Sequence, residues 1–296
     1  MEIRNLLTFV QVAELNSFTR AAEALGYSQS TVSFQIKQLE DELSCLLFER
    51  INHTITLTER GTELLDYAQR IVRMTDEFNQ SLNAEKPLRG VIHVLSPSSL
   101  CERMMKNSYS DFHIKYPDVS LKFTSADTLD MMKMLDRNEA DVMLTLDTHT
   151  YKRDYVIAKE EPIGMHFVTG ASSRYAREGV LSLAEIASFP LILTEKNAGY
   201  RRPLDKMFAE KSIYAEPILE LERTDVIAEL LEEGIGVSFL PDFVTRDGVR
   251  EGKLKYLECK EEMPVIWKQL IYHRNKWISR SLASFIEFIK EREFST

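Results

Sequence analysis

The stretch Ser28-Gln29-Ser30-Thr31-Val32-Ser33-Phe34-Gln35-Ile36-Lys37-Gln38-Leu39 decides the fold of the N-terminal part of this chain. Val32, Ile36 and Leu39 stand at i, i+4 and i+7, the spacing of one helical face, and Ser28 ahead of them suits an N-cap. At about 100° per residue, Ser30, Ser33, Phe34 and Lys37 fall on the opposite face, where a merely solvated helix usually carries Glu and Lys. Small hydroxyls, the amide of Gln29 and one exposed aromatic suit base edges. Gln29, Ser30, Thr31, Ser33, Phe34 and Lys37 are therefore candidate DNA-reading residues.

Working outward, residues 3–15 place Leu6, Leu7, Val10 and Ala13 at helical spacing, and Asn16-Ser17 breaks the pattern. Phe18–Leu25 is rich in helix formers and is followed by Gly26, which can end a helix in the left-handed conformation. Two helices joined by a Gly-bearing turn, the second with a readable polar face, form a helix-turn-helix pattern. On the C-terminal side come Leu39-Glu40-Asp41-Glu42-Leu43, Leu46-Leu47-Phe48-Glu49-Arg50 and Thr56-Leu57-Thr58-Glu59-Arg60-Gly61.

Taken together, Ser17-Phe18-Thr19-x-Ala21-Ala22, Ser28–Ser33, Ile36-x-x-Leu39-Glu40, Leu47-Phe48-Glu49-Arg50 and Leu57-Thr58-x-x-Gly61 closely resemble the DNA-binding domain of LysR-type transcriptional regulators. The resemblance implies a cytoplasmic protein that forms dimers or tetramers and binds double-stranded promoter DNA under control of a small co-inducer. Ser30 stands where that family often has Pro, and Ser44-Cys45 where a Gly is common. In the wing, Ile51–Thr56, the family usually places Arg or Lys beside the minor groove; here there is only His53, with Arg50 just before it. Arg50 and His53 are the candidate wing contacts.

From Thr58 to about Leu82 the residues Leu64, Ala68, Ile71, Thr75, Phe78 and Leu82 alternate spacings of four and three, a heptad seam expected to join two copies of the chain. Such a helix would span roughly 37 Å. Residues 83–90 lose the periodicity and carry Pro87 and Gly90, a hinge. Beyond it, apolar runs at Val91–Leu95, Val119–Phe123, Asp141–Leu146, Leu191–Thr194 and Gly236–Leu240 alternate with helical stretches at 100–116, 127–137, 200–211 and 224–233. That is the rhythm of an α/β domain. Turns at Glu160–Gly164 and Glu261–Pro264 read as strand crossovers. The Gly-x-Gly-x-x-x-x-Pro pattern at Gly234–Pro241 and Tyr116-Pro117-Asp118-Val119 match the family's co-inducer domain, which resembles bacterial solute-binding proteins.

The expected fold class is α plus α/β: a winged helix-turn-helix (residues 1–58), a linker helix and hinge for dimerisation (59–86), and a two-lobed domain (87–296) of the type II periplasmic-binding-protein-like kind. One lobe would be 87–161 with 265–296, the other 162–264. In such a domain a ligand is expected outside the carboxyl ends of the strands, near helix N-termini that favour anions. Ser96, Ser98 and Ser99 after the first strand, Thr128 after the second and Thr145 at the third are candidate co-inducer contacts. Arg201 and Arg202 suit bidentate carboxylate recognition. The expected co-inducer is a small anion; Asp127 reads as a helix cap, and Asp147 as a lip residue or a partner for a cationic group.

The formal charge of −9 works against a nucleic-acid binder, and residues 1–60 carry five Arg or Lys against eight Asp or Glu. Motif geometry must carry the DNA reading. Cys45, Cys101 and Cys259 are odd in number and far apart, which fits free thiols; Cys101 as a thiol sensor would need a stabilised thiolate. No nucleophile elbow, Walker loop or dinucleotide fingerprint appears, and the six histidines lie without metal-ligand spacing, so neither an enzyme nor a cofactor is expected. Met1-Glu2-Ile3-Arg4 runs into an amphipathic helix without a secretory pattern, and no stretch approaches a membrane span, so a cytoplasmic protein with no membrane partner is expected. A solute receptor would call for a signal sequence, and an α/β enzyme for a catalytic constellation.

Overall fold

The computed structural model describes residues 2–51, 54–81 and 87–294. It divides into two compact units, Met1–Arg89 with His273–Arg280, and Gly90–Tyr272 with Ser281–Thr296.

In the first unit the apolar spacing closes α1 (Ile3–Leu15), α2 (Phe18–Leu25) and α3 (Gln29–Leu43) around one core. Ser17 caps α2 by accepting the Arg20 N–H (3.2 Å), and Ser28 caps α3 by accepting the Thr31 N–H (3.1 Å). Leu6, Phe9, Val10, Ala21, Val32, Ile36 and Leu39 are buried, with the Phe9 and Phe18 rings against Phe48. The helix α3 runs four residues past Leu39 and ends at Ser44 in the left-handed region (φ 54°), which accounts for the family's frequent Gly there. The wing is an antiparallel pair, β1 (Phe48–Ile51) and β2 (Thr54–Leu57), opened by Glu40, whose carboxylate accepts the Leu47 N–H (2.8 Å).

The long helix α4 (Glu59–Ser81) follows. Its expected heptad seam is taken up in part inside this unit: Ala68 is fully buried, and Leu64 and Ile71 pack against the core, alongside buried Leu65 and Val72. The helix lies on α1, so its apolar stripe has a partner within the chain before any second copy arrives. Among the described side chains of α4, Tyr67 and Met74, one heptad apart, are the exposed large apolar ones; the Phe78 side chain and Leu82 lie outside what is described.

The second unit holds two sheets. Its elements in order are β3 (Gly90–Leu95), α5 (Ser98–Asn107), α6 (Tyr109–Lys115), β4 (Val119–Thr124), α7 (Thr128–Asp136), β5 (Val142–Asp147), β6 (Tyr155–Ile163), β7 (Met165–Gly170), β8 (Val180–Leu181), α8 (Leu183–Ala187), β9 (Leu191–Leu193), α9 (Arg201–Glu210), β10 (Pro217–Glu220), α10 (Thr224–Glu232), β11 (Val237–Pro241), α11 (Asp242–Arg250), β12 (Leu254–Cys259), β13 (Ile266–His273) and α12 (Arg280–Arg292). The five-stranded sheet runs β4-β3-β5-β13-β6 and the six-stranded sheet β10-β9-β11-β7-β12-β8. Parallel β3, β4 and β5 are joined by helices, as parallel pairing requires, while β13 enters antiparallel to β5. The chain leaves the five-stranded sheet at Gly164 and returns to it between Cys259 and Ile266.

Two expectations are corrected here. The stretch 100–116 is two helices, broken at Ser108, whose backbone leaves the helical region (φ −129°) and whose hydroxyl donates to the buried Glu293 carboxylate. Strands β6, β7, β8, β10, β12 and β13 did not stand out as apolar runs: β6 and β10 are only partly covered and mix polar with apolar residues.

Candidate functional site

Of the α3 residues expected to read DNA, Gln29, Ser30, Thr31, Phe34 and Lys37 are exposed and Ser33 is half-buried; Phe34 keeps 67% of its surface exposed. An aromatic left that open on a helix whose other face packs tightly is available to touch a partner. The Gln29 amide donates to the Ser33 hydroxyl (3.0 Å), and Ser28 bonds both Ser30 and Thr31 hydroxyls (2.8 Å each). Two further glutamines lock this helix in place. Thr8 of α1 donates to buried Gln35 (2.7 Å), and Asn5 donates to Gln38 (3.2 Å). The polar identity of Gln35 masked it as a core residue in sequence. Arg50 sits in β1 opposite Ile55, and His53 lies outside the described residues.

In the second unit the strand ends of both sheets face a cavity of about 250 Å³. Pro97–Ser99, Ser125–Thr128 and Leu146 come from the five-stranded half; Thr194, Glu195, Asn197–Tyr200, Glu222 and Thr224 come from the other. Ser98, Ser99, Thr128 and Thr224 open α5, α7 and α10, so three helix N-termini, with their partial positive ends, border one space. Ser99, Thr128 and Thr224 are 6%, 5% and 2% exposed, and their hydroxyls take no partner among the described residues. Buried hydroxyls are normally hydrogen-bonded, so three open ones on one cavity mark a place prepared for a polar guest. Ser98 donates to Glu222 Oε1 and lies 3.0 Å from the Ser125 hydroxyl, linking the two halves. Gly199 is where their backbones meet: an added Cβ there would lie 2.3 Å from the Leu146 carbonyl oxygen.

Of the expected contacts, Ser98, Ser99 and Thr128 line this cavity, and four do not. Ser96 is buried with its hydroxyl donating to the Pro97 carbonyl (3.1 Å). Thr145 is fully enclosed, because alternation along β5 sends Leu146 toward the cavity and Thr145 to the other face. Arg201 is 3% exposed and is held by Asp205 (2.8 Å), Glu220 (3.2 Å) and the Thr194 carbonyl, so it serves the fold. Arg202 lines a second, wider cavity of about 740 Å³ and pairs with Asp147 (2.6 Å). Glu222 and Thr224 were missed. The signal was the strand-end-to-helix junction Glu220–Thr224, legible only once Pro217–Glu220 is known to be a strand.

Asp127 caps α7 through the Asp130 N–H (2.9 Å). Cys101 lies outside the cavity lining, and burial, then neighbouring Glu102, pushes its thiol up, opposite to what a reactive thiolate needs. Burial likewise pushes the Tyr200 phenol up, keeping it neutral.

The model of the LysR substrate binding domain matches residues 85–293, and that of the bacterial regulatory helix-turn-helix protein, lysR family, matches residues 3–62. The chain belongs to the LysR family of transcriptional regulators. This LysR-type regulator is 28% identical over 292 residues to the HTH-type transcriptional regulator YwqM of Bacillus subtilis, covering 98% of this chain and 99% of that one. It is 26% identical to the RuBisCO operon transcriptional regulator of Allochromatium vinosum, covering 98% and 95%. In fold it matches a full-length OxyR variant from Pseudomonas aeruginosa (TM-score 0.57, 20% identity, 99% and 95% covered). It also matches full-length CbnR in complex with its target DNA (TM-score 0.50, 19% identity, 98% and 99% covered). Among the described residues of the regulator, no helix is long and apolar enough to cross a membrane.

Proposed function

We propose that this LysR-type regulator reads promoter DNA through the outer face of α3 and is controlled by a small co-inducer held in the 250 Å³ cavity. The observation that carries the reading is the convergence of three helix N-termini and three open, buried hydroxyls on that cavity. It favours a ligand with an anionic group. Residues 1–58 serve as the winged helix-turn-helix, 59–86 as the dimerising linker and 87–296 as the co-inducer domain in two lobes, in a cytoplasmic homodimer or homotetramer. The exposed Tyr67 and Met74 of α4 supply apolar surface for self-association.

Gln29→Ala is expected to cost about 1–3 kcal/mol on the specific site, since a Gln amide can bond adenine N6 and N7 together. A salt-matched titration in which specific and random DNA lose affinity equally would remove Gln29 from base reading.

The cavity is tested separately. Thr128→Phe, filling the space from the first turn of α7, should abolish the transcriptional response to the co-inducer while DNA affinity stays within about threefold, because α3 belongs to a separate folding unit. A reporter strain that still responds normally would place the ligand elsewhere.

A further inference from the structure

The cavity has a second chemical pole. Besides the hydroxyls and helix N-termini it is lined by three carboxylates, Asp127, Glu195 and Glu222, and by no lysine or arginine. Asp127 is committed to capping α7. Glu222 accepts from the Ser98 hydroxyl and, at 3.3 Å, from Ser125. Glu195 is exposed, and no ion pair holds it among the described residues. The neighbouring cation, Arg223, is bound to Asp225 and reaches Glu102 at 4.0 Å, so it is spent beside the cavity and does not line it. A purely anionic guest would meet donors on one side and two carboxylates without a cation on the other. Like charges in a confined, partly desolvated space are costly.

Resting on the reading of this cavity as the co-inducer site, we propose that the co-inducer is a zwitterion, a small amino acid. Its carboxylate lies at the pole formed by Ser99, Thr128, Thr224 and the open N–H groups of α5, α7 and α10. Its ammonium lies against Glu222 and Glu195. The carboxylate pole draws on both halves, Ser99 and Thr128 from the five-stranded one and Thr224 from the six-stranded one, whereas both glutamates belong to the six-stranded half. A guest carrying both charges therefore holds Ser99 and Thr128 on one half and the glutamates on the other at once, and one carrying a single charge forgoes part of that attachment. That difference in attachment is what a ligand needs in order to shift a conformational equilibrium.

The test is a thermal-shift and calorimetric titration of the full chain with the common L-amino acids one at a time. Each is compared with the 2-oxo acid and the primary amine that share its side chain. At least one amino acid should bind, and both of its analogues should bind more weakly by about tenfold or more, since each forfeits a charge-assisted set of hydrogen bonds. Glu222→Gln should weaken the amino acid by a similar factor and leave the 2-oxo acid's weak binding unchanged. If the 2-oxo acid binds as tightly as the amino acid, or if no amino acid binds, the zwitterion is overturned. Thr128→Phe separates the two readings: if an amino acid binds that variant as well as the original chain, the cavity is not its site. If Thr128→Phe abolishes binding of a carboxylate or an amine that outcompetes every amino acid, the site stands and the ligand class falls.

Discussion

Replacing Lys268 by alanine is expected to lower the unfolding free energy of the C-terminal unit by about 3–5 kcal/mol, the cost of breaking a buried ion pair from one side. Lys268 stands on β13 with 3% of its side chain exposed, 2.6 Å from Glu161 Oε1, and it donates to the Glu293 carbonyl beneath the Phe294 ring. Burial pulls its pKa below the ordinary lysine range, and Glu161 pulls it back up. The ammonium thus stays charged because a carboxylate faces it. Glu161 lies two residues before the end of β6 and the crossing to the six-stranded sheet, so the pair fastens β13 close to the point where the chain changes sheets. Denaturant unfolding followed by the fluorescence of adjacent Trp267 measures the loss. The double replacement Lys268→Met with Glu161→Leu should recover most of it, since removing both charges removes the desolvation penalty as well. A single variant that unfolds at the original midpoint would show that water already reaches the pair.

The second large effect is expected at Gly61. A Cβ added there would lie 2.1 Å from the Leu47 carbonyl oxygen, a backbone atom that cannot swing aside, and 3.0 Å from the Leu57 side chain. Gly61 opens α4 where the helix presses on the strand entering the wing, and its N–H is taken by the Thr58 hydroxyl (2.9 Å). Gly61→Val should therefore cost about 3 kcal/mol in the DNA-binding unit through overpacking. It should also displace the wing and abolish site-specific binding. In full-length protein the unfolding of this unit would separate from that of the co-inducer unit. If calorimetry shows one unchanged transition, the close approach is relieved by a shift of α4, and the Leu57-Thr58-x-x-Gly61 spacing has some other cause.

These two cases also mark where sequence reading stops. The DNA-binding end is built from local rules: apolar residues at helical spacing, Ser17 and Ser28 as caps, Gly26 as a stop. Each acts within a few positions, so α1, α2 and the start of α3 were legible from the chain alone. The hydroxyls of Ser98, Ser99 and Thr128 were legible for the same reason, as polar residues opening helices just after apolar strands. What the sequence could not disclose is which of two equal neighbours faces inward. Arg201 and Arg202 read identically, yet about 100° of helical rotation sends one into Thr194, Asp205 and Glu220 and the other to Asp147. The partner of the Ser108 hydroxyl, Glu293, lies 185 residues away, and Glu222 reaches the cavity from the end of a strand, β10, whose mixed pattern hid it. Amphipathic period and capping are properties of a short segment and survive in any context, so the sequence by itself determined the N-terminal helices, the α/β rhythm and the family. The charge lining the cavity, the fate of each arginine and the burial of Lys268 depend on partners distant along the chain, and only tertiary packing, which alone brings such partners within hydrogen-bonding range, decided them.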